Sequence, residues 1–78
     1  MSATEFLRLL TDTLGADREF ELDTRRADVK EWDSMGQIQI LTMLEDKFGV
    51  KLEMEELVAL ESVQDIVNIL KLRDVCLN

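Results

Sequence analysis

The chain has 78 residues, of which 46% are apolar and 33% charged, and it carries a net charge of −8. A chain this short buries only about 60% of the surface its unfolded form exposes, so one modest core must hold it together and an enclosed multi-residue active site of the usual size is excluded. Seventeen acidic against nine basic residues argue against nucleic acid or an anionic membrane as the ligand and leave positive surfaces on other proteins.

Residues 3–14 carry Phe6, Leu9, Leu10 and Leu14 at the spacing of a buried helix stripe. Ser2 with Glu5 three residues later forms a capping box, and Gly15 supplies the left-handed stop, which predicts a first helix over residues 3–14. Ala16 to Asp33 is charged and without a sustained period, with Phe20, Leu22, Val29 and Trp32 as apolar anchors. This stretch reads as a long loop pinned to the core, of a length that is functional or hides a short turn of helix. A second helix starts at Asp33 or Ser34 and ends at Phe48 before Gly49. The helical period puts Ile38, Ile40, Leu41, Leu44 and Phe48 on one side and Met35, Gln39, Thr42 and Asp46 on the other. A short third helix is predicted from about Glu53 to Leu60, with Leu57 and Leu60 inward and Glu53, Glu55 and Glu56 outward. A fourth opens at the Ser62/Asp65 capping signal and carries Val63, Ile66, Val67 and Leu70 as its stripe.

The predicted fold is therefore all-α, a small four-helix bundle of three main helices and a short third one, with a long loop between helices one and two. It forms one domain over residues 1–78. The longest apolar run, Leu57 to Leu60, falls far short of the ~20 residues of a membrane span, so no membrane insertion is expected. Met1-Ser2-Ala3-Thr4-Glu5 lacks the basic start and apolar stretch of a signal peptide, which sets the expectation of a cytoplasmic protein. With no histidine and one cysteine, Cys76, an internal disulfide, a zinc site and a histidine base are out of reach. Cys76 reads as a thiol in a frayed tail.

The informative stretch is Glu31-Trp32-Asp33-Ser34-Met35-Gly36-Gln37, which puts a serine at the mouth of helix two directly after the long loop. Unpaired N–H groups and a partial positive charge at a helix N-terminus stabilise a phosphate there without any basic side chain. The same residues by themselves read first as an ordinary start of a helix, since Asp-Ser before an apolar-periodic run is how helices begin and Ser34 with Gln37 satisfies the capping-box pattern.

The whole chain resembles the acyl carrier proteins, including the peptidyl and D-alanyl carriers. In that family a serine in an Asp-Ser-Leu or Asp-Ser-Met motif opening helix two receives 4′-phosphopantetheine, and the match here is Asp33-Ser34-Met35. The likeness extends over a first helix, a long loop, the motif, an acidic second helix ending Glu45-Asp46-Lys47-Phe48-Gly49-Val50, a short acidic third helix, and Ser62-Val63-Gln64-Asp65 opening the fourth. Gly36 stands where fatty-acid-synthesis carriers usually have an acid, and Trp32 where they usually have a glycine-alanine pair. Both features look like specialised carriers of dedicated pathways, and Asp33-Ser34-Met35-Gly36 is similar to D-alanyl carriers.

The resemblance implies a non-catalytic carrier of acyl intermediates, held as thioesters on a phosphopantetheine arm at Ser34, in a fatty-acid, polyketide-like or other dedicated pathway. Asp33 then caps helix two or helps the transferase orient coenzyme A and its metal ion. Met35, Gln39, Thr42, Glu45 and Asp46, with Glu53, Glu55 and Glu56, form the expected docking face of a monomer. The implied partners are a phosphopantetheinyl transferase, an acyl-activating ligase or acyltransferase, and downstream synthases with basic docking surfaces. Met43 and Met54 read as core or groove residues, and Leu41, Leu44, Met54 and Leu57 are permissive of an acyl groove between helices two and three. Gly36 suits a close approach to the backbone by a partner or the arm, or is a neutral change. Two other readings remain: a D-alanyl or aminoacyl carrier, and an acidic helical adaptor without a prosthetic group.

Overall fold

Helix α1 (Ala3–Leu14) begins and ends as its sequence signals require. The computed structural model describes residues 2–75 and places Ser2 in extended backbone, its hydroxyl accepting from the Glu5 N–H at 3.1 Å. The Glu5 carboxylate reaches back to the Ser2 N–H, which with the Ser2 hydroxyl holds its pKa below the usual glutamate value. Gly15 ends α1 at φ 65°, a backbone conformation that glycine adopts without a side-chain clash. Cys76 lies outside the described residues, so its tail reading has no counterpart here.

The long loop is tied down by its own backbone. Thr11 on α1 donates to the Leu7 carbonyl and accepts the Phe20 N–H at 3.0 Å, which fixes the first half of the loop against α1. Further on, Arg26–Asp28 form a single 3₁₀ turn, the short helical turn that a loop of this length was expected to hide. An antiparallel bridge between Arg25 and Ser62 then joins loop to bundle: Arg26 N–H donates to the Glu61 carbonyl at 2.8 Å and Val63 N–H to the Thr24 carbonyl at 3.0 Å. Of the four predicted anchors, Phe20, Val29 and Trp32 are buried. Leu22 is not: it is 42% exposed, on a polar turn where the Glu21 N–H is bonded to the Thr24 hydroxyl.

Helix α2 (Ser34–Phe48) packs against α1 and buries Ile40 and Leu44 in the core, and the Phe6 and Phe48 rings meet edge-on at 5.8 Å. Its buried face differs from the predicted one at two places. Ile38 is 54% exposed and stands with the outer residues, while Met43 is buried as expected of a core methionine. The stripe is completed instead by Gln37, a polar residue at helical spacing from Ile40, Leu41, Leu44 and Phe48. Gly49 closes α2 at φ 67°, with its N–H on the Glu45 carbonyl and the Val50 N–H on the Leu44 carbonyl, and Val50 tucks into the core behind it.

Helix α3 (Met54–Val58) is shorter than predicted at both ends, with Glu53 as its cap and Ala59 in the turn beyond it. Leu57 and Leu60 point inward as expected, whereas Met54 is 68% exposed and not a core or groove residue. A five-residue helix has a narrow buried side, and Leu57 occupies it. Helix α4 (Val63–Leu72) is capped by the Ser62 hydroxyl on the Asp65 N–H and buries Val63, Ile66, Val67 and Leu70 as predicted. The architecture is the small all-α bundle that the periodicities called for; among the described residues the Arg25–Ser62 bridge is the sole extended pairing.

Gly36, in the first turn of α2, is buried where the loop crosses the helix. A β-carbon there would overlap the Glu31 carbonyl oxygen and lie 3.1 Å from Leu14 Cδ2. The close approach at Gly36 is made by this chain's own loop backbone and not by a partner or the arm as expected, and a neutral role is overturned. In an open helix interior Gly→Ala gains roughly 1 kcal/mol. Here Gly36→Ala is expected to lose about 1–3 kcal/mol, because the loop must move off the helix. Urea unfolding of the two proteins reads the sign directly.

Candidate functional site

The mouth of α2 is built around Trp32. Its indole is 2% exposed and stacks on Phe20, with ring centroids 6.4 Å apart and planes 14° from parallel. Burying an indole requires a partner for its N–H. Nε1 donates to Gln37 Oε1 at 2.7 Å, and Gln37 Nε2 donates onward to the Leu57 carbonyl at 2.7 Å. One buried side chain thereby joins the loop, the first turn of α2 and the end of α3. The Trp32 backbone is held as well, its N–H on the Val29 carbonyl and its carbonyl on Arg26 Nε at 3.1 Å. Among the described residues no buried side-chain polar atom lacks a partner.

Asp33 and Ser34 follow from this anchor and divide the helix start between them. Asp33 is the N-cap: it is in extended backbone, its Oδ1 accepts the Gly36 N–H at 2.9 Å and its carbonyl accepts the Gln37 N–H at 2.9 Å. Ser34 is the first helical residue and is exposed, and its hydroxyl takes no part in the cap. The capping box read from Ser34 and Gln37 does not form, because the Gln37 amide is turned inward to Trp32 and Leu57. What results is an exposed hydroxyl at the positive end of a 15-residue helix, with the first turn's free N–H groups beside it. A phosphodiester on this serine would meet favourable electrostatics and no steric obstacle from a cap, so the residues present fit a phosphate-linked arm.

The remaining predicted site residues lie where the helical period put them. Met35, Gln39, Thr42, Glu45 and Asp46 are all exposed on α2, and Glu53 and Glu55 are exposed at α3. Glu56 is different. It is half-buried and engaged by Arg73, whose Nη2 contacts its two carboxylate oxygens at 2.7 and 3.0 Å while Nη1 donates to the Lys51 carbonyl at 2.8 Å. The Glu53 N–H and the Arg73 guanidinium together hold the Glu56 pKa below the usual glutamate value against partial desolvation. Glu56 thus braces α3 against the end of α4. Exposed apolar side chains that the sequence reading left out of this surface are Ile38 on α2 and Met54 and Val58 on α3.

With that geometry in place, the comparison with known families is direct: the family model of the phosphopantetheine attachment site matches residues 4–70. The chain belongs to that family, the non-catalytic carrier proteins that hold a covalently attached 4′-phosphopantetheine and interact with transferases and synthases. No curated protein and no solved structure matches it. Among the described residues no helix is long and apolar enough to cross a membrane, and no cluster of acids or cysteine is arranged to hold a metal ion.

Gln37 is the residue of the site that sequence reasoning missed as a structural element. Its signal was its place in the apolar stripe, five residues after a tryptophan. Gln37→Met keeps the size and strips both hydrogen bonds: the indole N–H is left buried and unpaired, while the Leu57 carbonyl keeps the Leu60 N–H. One such group costs about 1–3 kcal/mol, and Gln37→Met is expected to lose that much in urea unfolding followed by Trp32 fluorescence.

Proposed function

We propose that Ser34 is the residue that receives 4′-phosphopantetheine and that the protein carries acyl intermediates on that arm for a dedicated biosynthetic pathway, of the fatty-acid or polyketide-like kind. The observation that carries this reading is the division of labour at the mouth of α2: Asp33 supplies the cap, so the exposed Ser34 hydroxyl is left for chemistry. An adaptor that used Ser34 only to start a helix would put that hydroxyl on a backbone N–H, and here the Asp33 carboxylate does so instead.

The roles of the chain's own groups follow. Asp33 holds the first turn through Oδ1, which leaves its exposed carboxylate able to help a phosphopantetheinyl transferase orient coenzyme A and its metal ion. Trp32 and Gln37 keep the serine at a fixed place relative to α3, so that an incoming enzyme meets one geometry. The N-terminal dipole of α2 stabilises the negative phosphodiester. When bound, the arm supplies a thiol that holds acyl groups as thioesters, and the protein acts as its scaffold.

Met35, Gln39, Thr42, Glu45 and Asp46 of α2, with Glu53 and Glu55 of α3, form the proposed docking face. Met35 is 65% exposed next to the serine, and Ile38, Met54 and Val58 add apolar contact that soft or bulky side chains make with more than one partner. Glu56 belongs to this face only as its brace, since Arg73 already neutralises it. The partners are the transferase, an acyl-activating ligase or acyltransferase, and synthases with basic surfaces. The protein is proposed to meet them as a monomer in the cytoplasm, where coenzyme A is at hand.

The attachment test is intact mass after incubation with coenzyme A, magnesium and a broad-specificity phosphopantetheinyl transferase. Wild type is expected to gain one phosphopantetheine and Ser34→Ala none; a folded, initially unmodified wild type that gains nothing returns Ser34 to a plain helix residue. For docking, Glu45→Lys with Asp46→Lys is expected to slow association with a basic partner enzyme by about ten-fold at low salt, with the difference shrinking as salt is added. Stopped-flow measurement at two ionic strengths checks both parts.

A further inference from the structure

A cleft of ≈ 460 Å³ opens beside Trp32, lined by Arg25, Arg26, Ala27, Trp32, Val58 and Glu61. Its size falls within the ordinary range of small-molecule sites. Its charge runs against the rest of the molecule: two arginines and a single acid line it, in a chain of net charge −8. Among the described residues neither arginine is in an ion pair. Arg26 is nonetheless held in place, with Nε on the Trp32 carbonyl at 3.1 Å and its backbone N–H on the Glu61 carbonyl at 2.8 Å. Its Nη groups meet no protein acceptor among the described residues, which leaves a planar pair of donors of the kind that matches a carboxylate. Val58 and Ala27 add apolar wall to the same cleft, and the buried Trp32 lies behind it.

We propose that this cleft receives the far end of a cargo carried through Ser34, and that this end bears a carboxylate. The inference rests on the attachment of the arm at Ser34, two residues from Trp32. An amphipathic lining, apolar on one part and doubly cationic on another, suits an aliphatic chain that ends in a carboxylate. A phosphodiester, polar on every side, would gain nothing from Ala27 and Val58 and is already served by the end of α2. The cargo class is thus a dicarboxylic acyl group joined through one of its two carboxyls.

The test loads the full chain, by transferase, from coenzyme A, from hexanoyl-coenzyme A and from adipoyl-coenzyme A, which match in carbon count and differ in the terminal carboxylate. Intact mass reports loading, so a failure to load counts against Ser34 as the attachment site and is read separately from the cleft. In the loaded proteins, the Arg25 and Arg26 Nε–H, the Trp32 indole N–H and the Val58 methyl signals are followed by NMR. The adipoyl form is expected to shift all three sets relative to the unloaded arm, the hexanoyl form to leave the arginine signals in place, and Arg25→Gln to weaken the adipoyl shifts. Arginine shifts already complete with the bare arm would assign the cleft to the phosphodiester and overturn the proposal. Equal shifts with both acyl groups, or none with adipoyl, would also overturn it.

Discussion

A single buried glutamine holds the working end of this protein together. Gln37 accepts from the Trp32 indole and donates to the Leu57 carbonyl, and through those two bonds the long loop, α2 and α3 share one fixed point. A buried polar chain of this sort is costly when half-satisfied and rigidifying when complete, and here it is complete. The stack of Trp32 on Phe20 and the bond from the Phe20 N–H to the Thr11 hydroxyl extend the same fixed point back to α1. Gly36 follows as a consequence, because a loop drawn this close leaves no room for a β-carbon in the first turn of the helix.

The serine benefits from rigidity that it does not itself supply. Asp33 caps the helix and Trp32 seats the loop, so Ser34 stands exposed on a well-anchored first turn with its hydroxyl free of structural duty. The proposed attachment at Ser34 asks for this combination: a hydroxyl that enzymes can reach, on a first turn whose backbone is held. The acids are sorted in the same spirit. Glu5, Glu53, Glu56 and Asp65 serve helix starts or braces within the fold, while Asp46 and Glu55 face solvent without such a role, so only part of the net charge is available as a steering field.

Helix positions and most of the core were legible in the sequence because local rules govern them. Ser2/Glu5, Gly15, Gly49 and Ser62/Asp65 each act within a turn or two of chain, and their signals held to the residue. The stripe of α4 was read correctly for the same reason, and that of α1 at Phe6, Leu10 and Leu14, with Leu9 only half-buried and Thr11 buried in addition. Errors gathered where burial is decided by what comes from elsewhere. Ile38 was placed inside because it is apolar and near the stripe, yet the stripe is filled by Gln37, whose polarity is tolerable only because Trp32 and Leu57 come from other elements to satisfy it. Leu22 was counted as a loop anchor and Met54 as a core or groove residue on the strength of their side chains, but their short turns present few buried positions, and Phe20 and Leu57 hold them.

The sequence by itself determined the all-α class, the order and caps of the helices, and a serine at the head of α2 within the family's motif. These depend on contacts between near neighbours and on periodicity, which a linear string carries in full. The tertiary structure alone decided that Asp33 and not Ser34 is the cap, that Gly36 answers to the Glu31 carbonyl, that Glu56 belongs to Arg73, and that Arg25 and Arg26 share a cleft with Val58. The contacts of Gly36 and of Arg25 and Arg26 join groups brought together by the path of the loop, which follows the burial of Trp32, and the Glu56–Arg73 pair joins two helices far apart in sequence; neither kind of long-range packing is encoded in a local pattern.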